Sequence, residues 1–246
     1  MGAWGTALFS DDTACDVRES YRDLIGDGLA GPDATNELLR EWSGSLTDPD
    51  EGPVFWLSLA ATQWKCGRLE SRVLQQALIV IDNGSDLARW ELGSKDFNRR
   101  KLVLEKLRIQ LTTPQPPEKR ISKRFRDSNE WQVGDLIGYR LPSGRFAILL
   151  TIGHHRDKGG VAPICELLDW SGEYLPSSFE SLGVLKSPGV RPITQFMIGR
   201  TRATERPGGR LQHLGVNTTP SQKPRGYTVV LWRWLDKTLR EDFGLE

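Results

Sequence analysis

The side chains best suited to nucleophilic or metal chemistry are three histidines and three cysteines, and of these only His154, His155 and Cys165 lie near one another in the chain. Cys165 beside His155 on a neighbouring strand would make a thiolate–imidazole pair able to attack a carbonyl. The plainer account, a strand cysteine filling an apolar slot, fits the surrounding Ile164 and Leu167 better. His154 or His155 with Cys165 and Asp169 would supply zinc ligands, but the paired Cys-x-x-Cys spacing of strong sites is absent and no metal is expected. Adjacent histidines on an extended chain point to opposite sides, so only one of the two faces any given site. Glu166 and Asp169, three apart on a strand, likewise fall on opposite faces and form no acid/base pair. There is no Gly-x-Ser-x-Gly elbow, no phosphate-cradling loop and no dinucleotide fingerprint, and Gly159-Gly160 reads as a turn. Catalysis is therefore disfavoured and no cofactor is implied. A Cys165/His155 hydrolase stays as the enzymatic alternative.

Binding is better served. His154, His155, Arg156, Asp157 and Lys158, together with Glu166, Asp169, Trp170 and Tyr174, offer the mixed polar and aromatic rim that protein interfaces use. The competing role for Trp170 is packing beneath the β-rich domain. A second class of partner is nucleic acid, bound through the run Lys119, Arg120, Lys123, Arg124 and Arg126 and the basic outside of a helix carrying Arg99, Arg100, Lys101, Lys106 and Arg108. The plain account of the run is a solvated linker laid on the acidic face of the helical domain. The stripe Asp12, Asp16, Glu19 and Asp23 would suit a basic partner, although a charged stripe opposite an apolar one usually just faces solvent.

The elements that must position these residues are led by a hairpin. Residues 133–139 and 146–152 are dense in β-branched, aromatic and aliphatic side chains, with Pro142-Ser143-Gly144 between them as the turn. The His154 to Lys158 segment is read as the loop that follows. Residues 161–169 form a third strand, edge-like at Pro163, and 193–201 a fourth. Residues 202–225, polar and rich in Gly and Pro, read as a long mobile loop. Residues 227–234 alternate cleanly and close the sheet, and 236–243 permit a short terminal helix. Residues 175–186 are ambiguous, with Ser177-Ser178 permitting a short helix.

Upstream the pattern is helical. Ser10-Asp11-Asp12 opens a helix with Ala14, Val17, Tyr21 and Leu24 on one face. Further helices fit residues 32–42, 53–66, 69–81 and, after a short piece at 85–92, a fifth capped by Ser94 with Phe97, Leu104, Leu107 and Leu111 inward. Residues 1–10 are expected to tuck against the core through Trp4, Leu8 and Phe9. Pro114, Pro116 and Pro117 forbid continuation, so residues 112–128 read as a proline-rich basic linker. The architecture expected is α+β: a helical domain over 1–111, the linker, and a small SH3-like β-barrel over 129–246.

Bulk properties bound the setting. The formal net charge of the 246-residue chain is +1, but residues 1–112 carry about five net negative charges and 113–246 about six net positive ones. No apolar run approaches a membrane span and no signal peptide is evident, so no membrane partner is expected. The start matches the loose Met-Gly-x-x-x-Thr acylation pattern, but bulky Trp4 and the lack of an adjoining polybasic segment argue against its use. Three widely spaced cysteines fit a reduced, cytoplasmic location.

Two stretches resemble known families. Residues 131–170, with Val133-Gly134-Asp135, the turn Leu141-Pro142-Ser143-Gly144-Arg145-Phe146 and the return Cys165-Glu166-Leu167-Leu168-Asp169-Trp170, resemble one family of immunity proteins from bacterial polymorphic toxin systems. That likeness implies a small β-rich domain that binds and blocks a toxin. The opening Met1-Gly2-Ala3-Trp4-Gly5-Thr6 with Phe9-Ser10-Asp11-Asp12-Thr13-Ala14 resembles the start of a bacterial family whose function is not established, and implies no activity. The leading expectation is a cytoplasmic protein-binding module, most concretely an immunity-like inhibitor that occludes its partner.

Overall fold

The computed structural model describes residues 3–176, 178–179, 181–189, 192–217 and 224–246. The chain divides into two compact units, Met1–Arg124 and Phe125–Glu246, and the protein is α+β.

In the first unit α1 (Asp12–Gly26) starts where the Asp11 carboxylate accepts a hydrogen bond from Ala14 N at 3.3 Å, and Arg89 holds the same carboxylate at 2.9 Å. α2 (Gly31–Glu41) and α3 (Glu51–Cys66) follow. α3 is buried on nearly every side, with Val54, Phe55, Leu57, Leu59, Ala60 and Ala61 alongside the polar Ser58, Thr62 and Gln63, and is central to the helical core. α4 (Ser71–Asn83) and α5 (Lys95–Thr112) complete it, with Ser94 capping α5 through Phe97 N at 3.0 Å. The Arg100 guanidinium, fully buried, grips Asp86 with two bonds of 2.7 Å and donates to Thr6 O, tying the N-terminal segment to α5. Leu8 is buried as expected, but the Trp4 side chain is 63% exposed.

The stretch read as a spacer is bound along this unit. Lys119 N donates to Cys66 O, Leu69 N to the Gln115 side chain, and Trp64 Nε1 to Thr113 O. Gly67, at φ +69, leaves no room for a side chain, since a β-carbon there would lie 2.5 Å from Pro116 O.

The second unit is one open, mixed six-stranded sheet in the order β5-β1-β2-β3-β4-β6. Its strands are β1 (Asp135–Arg140), β2 (Phe146–Asp157), β3 (Gly160–Gly172), β4 (Gln195–Gly199), β5 (Leu211–Val216) and β6 (Thr228–Leu231). All neighbours are antiparallel except β4 and β6. The barrel expectation is thus corrected: β5 and β6 are the two edges. Instead of returning to β5, the chain after β6 turns at Trp232–Trp234 into α6 (Leu235–Phe243).

One sheet face, with Ile137, Tyr139, Ala147, Leu149, Cys165, Leu167, Phe196 and Ile198, packs against Trp232 and the Leu235, Leu239 and Phe243 stripe of α6. The other face carries Leu136, Ile148, Leu150, Ile152, Ile164 and Leu168, partly covered by Phe179 and Leu182. β5 lies inside the stretch expected to be a loop. Its residues Gln212 and His213 are exposed, and a bulge against β1 breaks the alternation, so no periodic signal marks it. Residues 218–223 of that expected loop, and Ser177 and Glu180 of the ambiguous segment, lie outside the described residues. β3 is interior where β4 pairs Ile164–Glu166, but Pro163 lies just before that stretch with only β2 as its ladder neighbour, so the strand is edge-like there as expected and the missing N–H costs no bond to β4.

Candidate functional site

β2 is longer than its sequence advertises. His154, His155, Arg156 and Asp157 continue the strand instead of forming a loop, and pair with Pro163, Ala162, Val161 and Gly160. The turn is Lys158-Gly159, closed by Gly159 N donating to the Asp157 carboxylate at 2.7 Å. Gly160 adopts φ +115, and a β-carbon there would sit 2.1 Å from Asp127 O. Only glycine lets the 127–128 segment lie down against this hairpin. Asp127 N donates to Gly159 O at 2.7 Å and Val161 N donates to Asp127 O at 3.0 Å. Its carboxylate is held by Arg200, from Nε at 2.5 Å and backbone N at 2.9 Å, while Arg200 Nη2 reaches Ser128 and the guanidinium covers the Phe125 ring. This latch is largely buried.

Beside the latch lies a cavity of about 130 Å³, with Val161, Ala162, Met197 and Leu231 as its apolar lining and His155, Asp157, Asp127 and Arg200 as its polar one. His155 Nδ1 is 2.7 Å from the Tyr227 hydroxyl and Nε2 is 3.1 Å from Asp157 Oδ2. The ring thus bridges the Tyr227 hydroxyl and the Asp157 carboxylate. His154 is committed elsewhere, its Nε2 lying 2.7 Å from Trp131 O.

The proposed nucleophile is not part of this site. Cys165 faces the α6 side of the sheet, fully buried, opposite Thr151 and Phe196. Burial pushes its thiol up to about 12, against a smaller lowering by the Thr151 hydrogen bond. Ala162 is the residue opposite His155, so Cys165 lies three residues, about 10 Å, further along β3. The thiol–imidazole pair is therefore overturned. The His154/His155, Cys165 and Asp169 zinc grouping is not assembled either, and no cluster of three or more such ligands occurs among the described residues.

Nor do the expected rim residues form one surface. Arg156, Asp157 and Lys158 are at the β2–β3 turn, whereas Asp169, Trp170 and Tyr174 are at the far end of β3, about 30 Å away by strand rise. Glu166 is buried on the Leu150 side and accepts from Gln195 Nε2 at 3.0 Å, so it belongs to the interior. Trp170 is half-buried against the second-face cluster, which realises its packing role. Tyr174 is 83% exposed. Tyr227, Asp127 and Arg200 escaped notice in the sequence, where nothing about their spacing marks them.

Of the basic run, Arg124 reaches Asp23 at 3.3 Å and Glu19 at 3.7 Å, and Lys123 lies 3.9 Å from Asp27. These cations lie on the acidic side of α1, as the linker account holds. Lys119 and Arg120 are exposed. No helix among the described residues is long and apolar enough to cross a membrane.

Comparison with family models, with curated proteins and with solved structures returns no match for this chain.

Proposed function

We propose that this chain is a cytoplasmic protein-binding module whose sheet unit docks a partner at the β2–β3 turn, in its most concrete form an immunity-like inhibitor that occludes a toxin. The observation that carries the reading is the fate of the reactive groups. Cys165 is sealed in the core with its thiol pushed up to about 12, and both hairpin histidines are held by fixed partners. The turn itself presents exposed Arg156, Asp157 and Lys158 beside a small cavity with an apolar lining, on a strand pair stiffened by the Asp127–Arg200 latch. Rigid projecting charges next to an apolar recess suit recognition by complementarity. The toxin as partner comes from the resemblance over residues 131–170.

The test is affinity capture from a bacterial lysate on the tagged full chain, at moderate and at high salt. One protein retained in equal stoichiometry at high salt, and released by Arg156→Glu with Lys158→Glu but not by Tyr174→Ala, supports the reading. Retention indifferent to the turn substitutions sinks the assigned surface. Retained nucleic acid that washes off as salt rises would replace the protein partner with phosphate binding.

A further inference from the structure

The cavity beside the latch opens where neighbouring strands part. β4 pairs with β3 only over Ile164–Glu166, then follows β6 as far as the Gly199–Leu231 pair. Pro163, with no N–H to donate, lies where the β3–β4 pairing stops, and the 127–128 segment meets β3 only at Gly160 and Val161. Three residues bordering the gap, Gly159, Gly160 and Gly199, bring no side chain to fill it. A β-carbon on Gly199 would lie 3.2 Å from Met197 Cε, one of the lining groups.

Volume and lining together select the occupant. At roughly 30 Å³ per water-sized group, a volume of about 130 Å³ matches the carbons of a leucine or isoleucine side chain and is too small for an indole. Val161, Ala162, Met197 and Leu231 give it apolar walls. Its polar groups are already engaged within the chain. Asp127 and Arg200 neutralise each other, and the guanidinium also donates to Ala203 O and to Ser128. The His155 ring bridges Tyr227 and Asp157, and the Asp157 carboxylate also accepts from Gly159 N. A charged or hydrogen-bonding group entering here would shed its water and find these partners taken, whereas an aliphatic group gives up no hydrogen bond.

We propose that the cavity receives a leucine-sized aliphatic side chain, inserted by the docking partner as its anchor. This rests on the docking reading of the β2–β3 turn, and it narrows the partner to a protein that presents such a side chain. Anchors of this kind fill desolvated pockets with polar groups around them, and the exposed Asp157 and Lys158 lie at the turn that borders this one.

The experiment follows the alanine, methionine and leucine methyl signals of the isotope-labelled full chain as N-acetyl-leucine amide is titrated in. The alanine, tryptophan and glutamate counterparts are run alongside. The leucine amide shifts the Ala162, Met197 and Leu231 methyls saturably, and the other three bind about tenfold more weakly or less. Ala162→Leu fills the space and abolishes the shift at Met197. Leu231→Ala enlarges it and turns the preference towards N-acetyl-phenylalanine amide, a gain that misfolding does not produce. Unchanged signals from the fully buried Leu149 and Leu167 confirm that the sheet folds in both variants. No saturable shift with the leucine amide, an equal response to all the amides, or a response indifferent to both variants overturns the proposal. In the lysate capture, a protein released by the turn substitutions but retained by Ala162→Leu overturns the anchor and leaves the docking surface standing. Selective binding of the leucine amide with no protein captured removes the docking reading and upholds the selectivity of the cavity.

Discussion

Replacing Gly160 by alanine tests the latch that shapes the hairpin site. The backbone there sits at φ +115, and the new methyl would lie 2.1 Å from Asp127 O and 2.6 Å from Asp127 N, both main-chain atoms that cannot swing aside. Two effects add. Holding a non-glycine residue in this conformation costs about 1–3 kcal/mol. Pushing residues 127–128 away breaks the Asp127 N to Gly159 O and Val161 N to Asp127 O bonds, worth roughly 1 kcal/mol each. The sum is a loss of about 3–5 kcal/mol for the sheet unit, a large part of a typical domain's stability. Cys165 supplies a reporter specific to that unit, because its buried thiol is alkylated only when the sheet opens. Pulsed alkylation across a urea series, read by mass spectrometry, gives the midpoint. Gly144→Ala is the control: its φ is +93, but its β-carbon meets nothing nearer than Arg140 Nη2 at 4.0 Å. It should therefore show backbone strain alone. A Gly160→Ala midpoint no lower than that of Gly144→Ala would refute the close-approach argument.

Other expectations follow from the same kind of reasoning. Cys165 in the native chain should resist a maleimide at neutral pH. Its folded pKa lies above the unfolded value, so its contribution to stability is complete below about pH 8.5 and falls as pH rises towards 12; Cys165→Ser, followed by urea titration at several alkaline pH values, should flatten part of that slope. Arg100→Met should cost about 3–5 kcal/mol in urea denaturation followed at 222 nm, because it strands the buried Asp86 carboxylate, and adding Asp86→Leu should recover most of the loss. On the sheet unit, Arg210 and then the Tyr139 hydroxyl hold the Asp236 carboxyl below its usual range. Its contribution is present above the unfolded value and is lost as pH falls through the depressed folded one. Asp236→Asn should therefore destabilise by about 1–2 kcal/mol at pH 7, discounted for partial exposure, with the gap closing in acid.

The helical half was legible because its signals are local. Ser94, Asn83-Gly84 and the apolar spacing of α1, α3 and α5 act within a few residues, and the helices lie close to where those signals put them. The sheet half was legible only as strands. β1 to β4 and β6 announce themselves by composition, whereas β5 takes its identity from pairing with β1, some seventy residues away in the chain. The site fared worse for the same reason. His155, Asp157 and Lys158 were picked out, but their partners Tyr227, Asp127 and Arg200 come from separate segments whose meeting is a long-range event.

By itself the sequence determined the segregation of helices and strands, the α3 core, the turn at Pro142-Ser143-Gly144 and the lack of any recognised catalytic signature, all properties of residue type and near-neighbour spacing. Tertiary structure decided that the sheet stays open, that Glu166 and Cys165 face inward, and that the expected rim divides between the two ends of β3. Those outcomes depend on strand order, register and the packing of α6. Because side chains alternate faces with each residue, register converts one spacing into either a shared surface or opposite sides of a core.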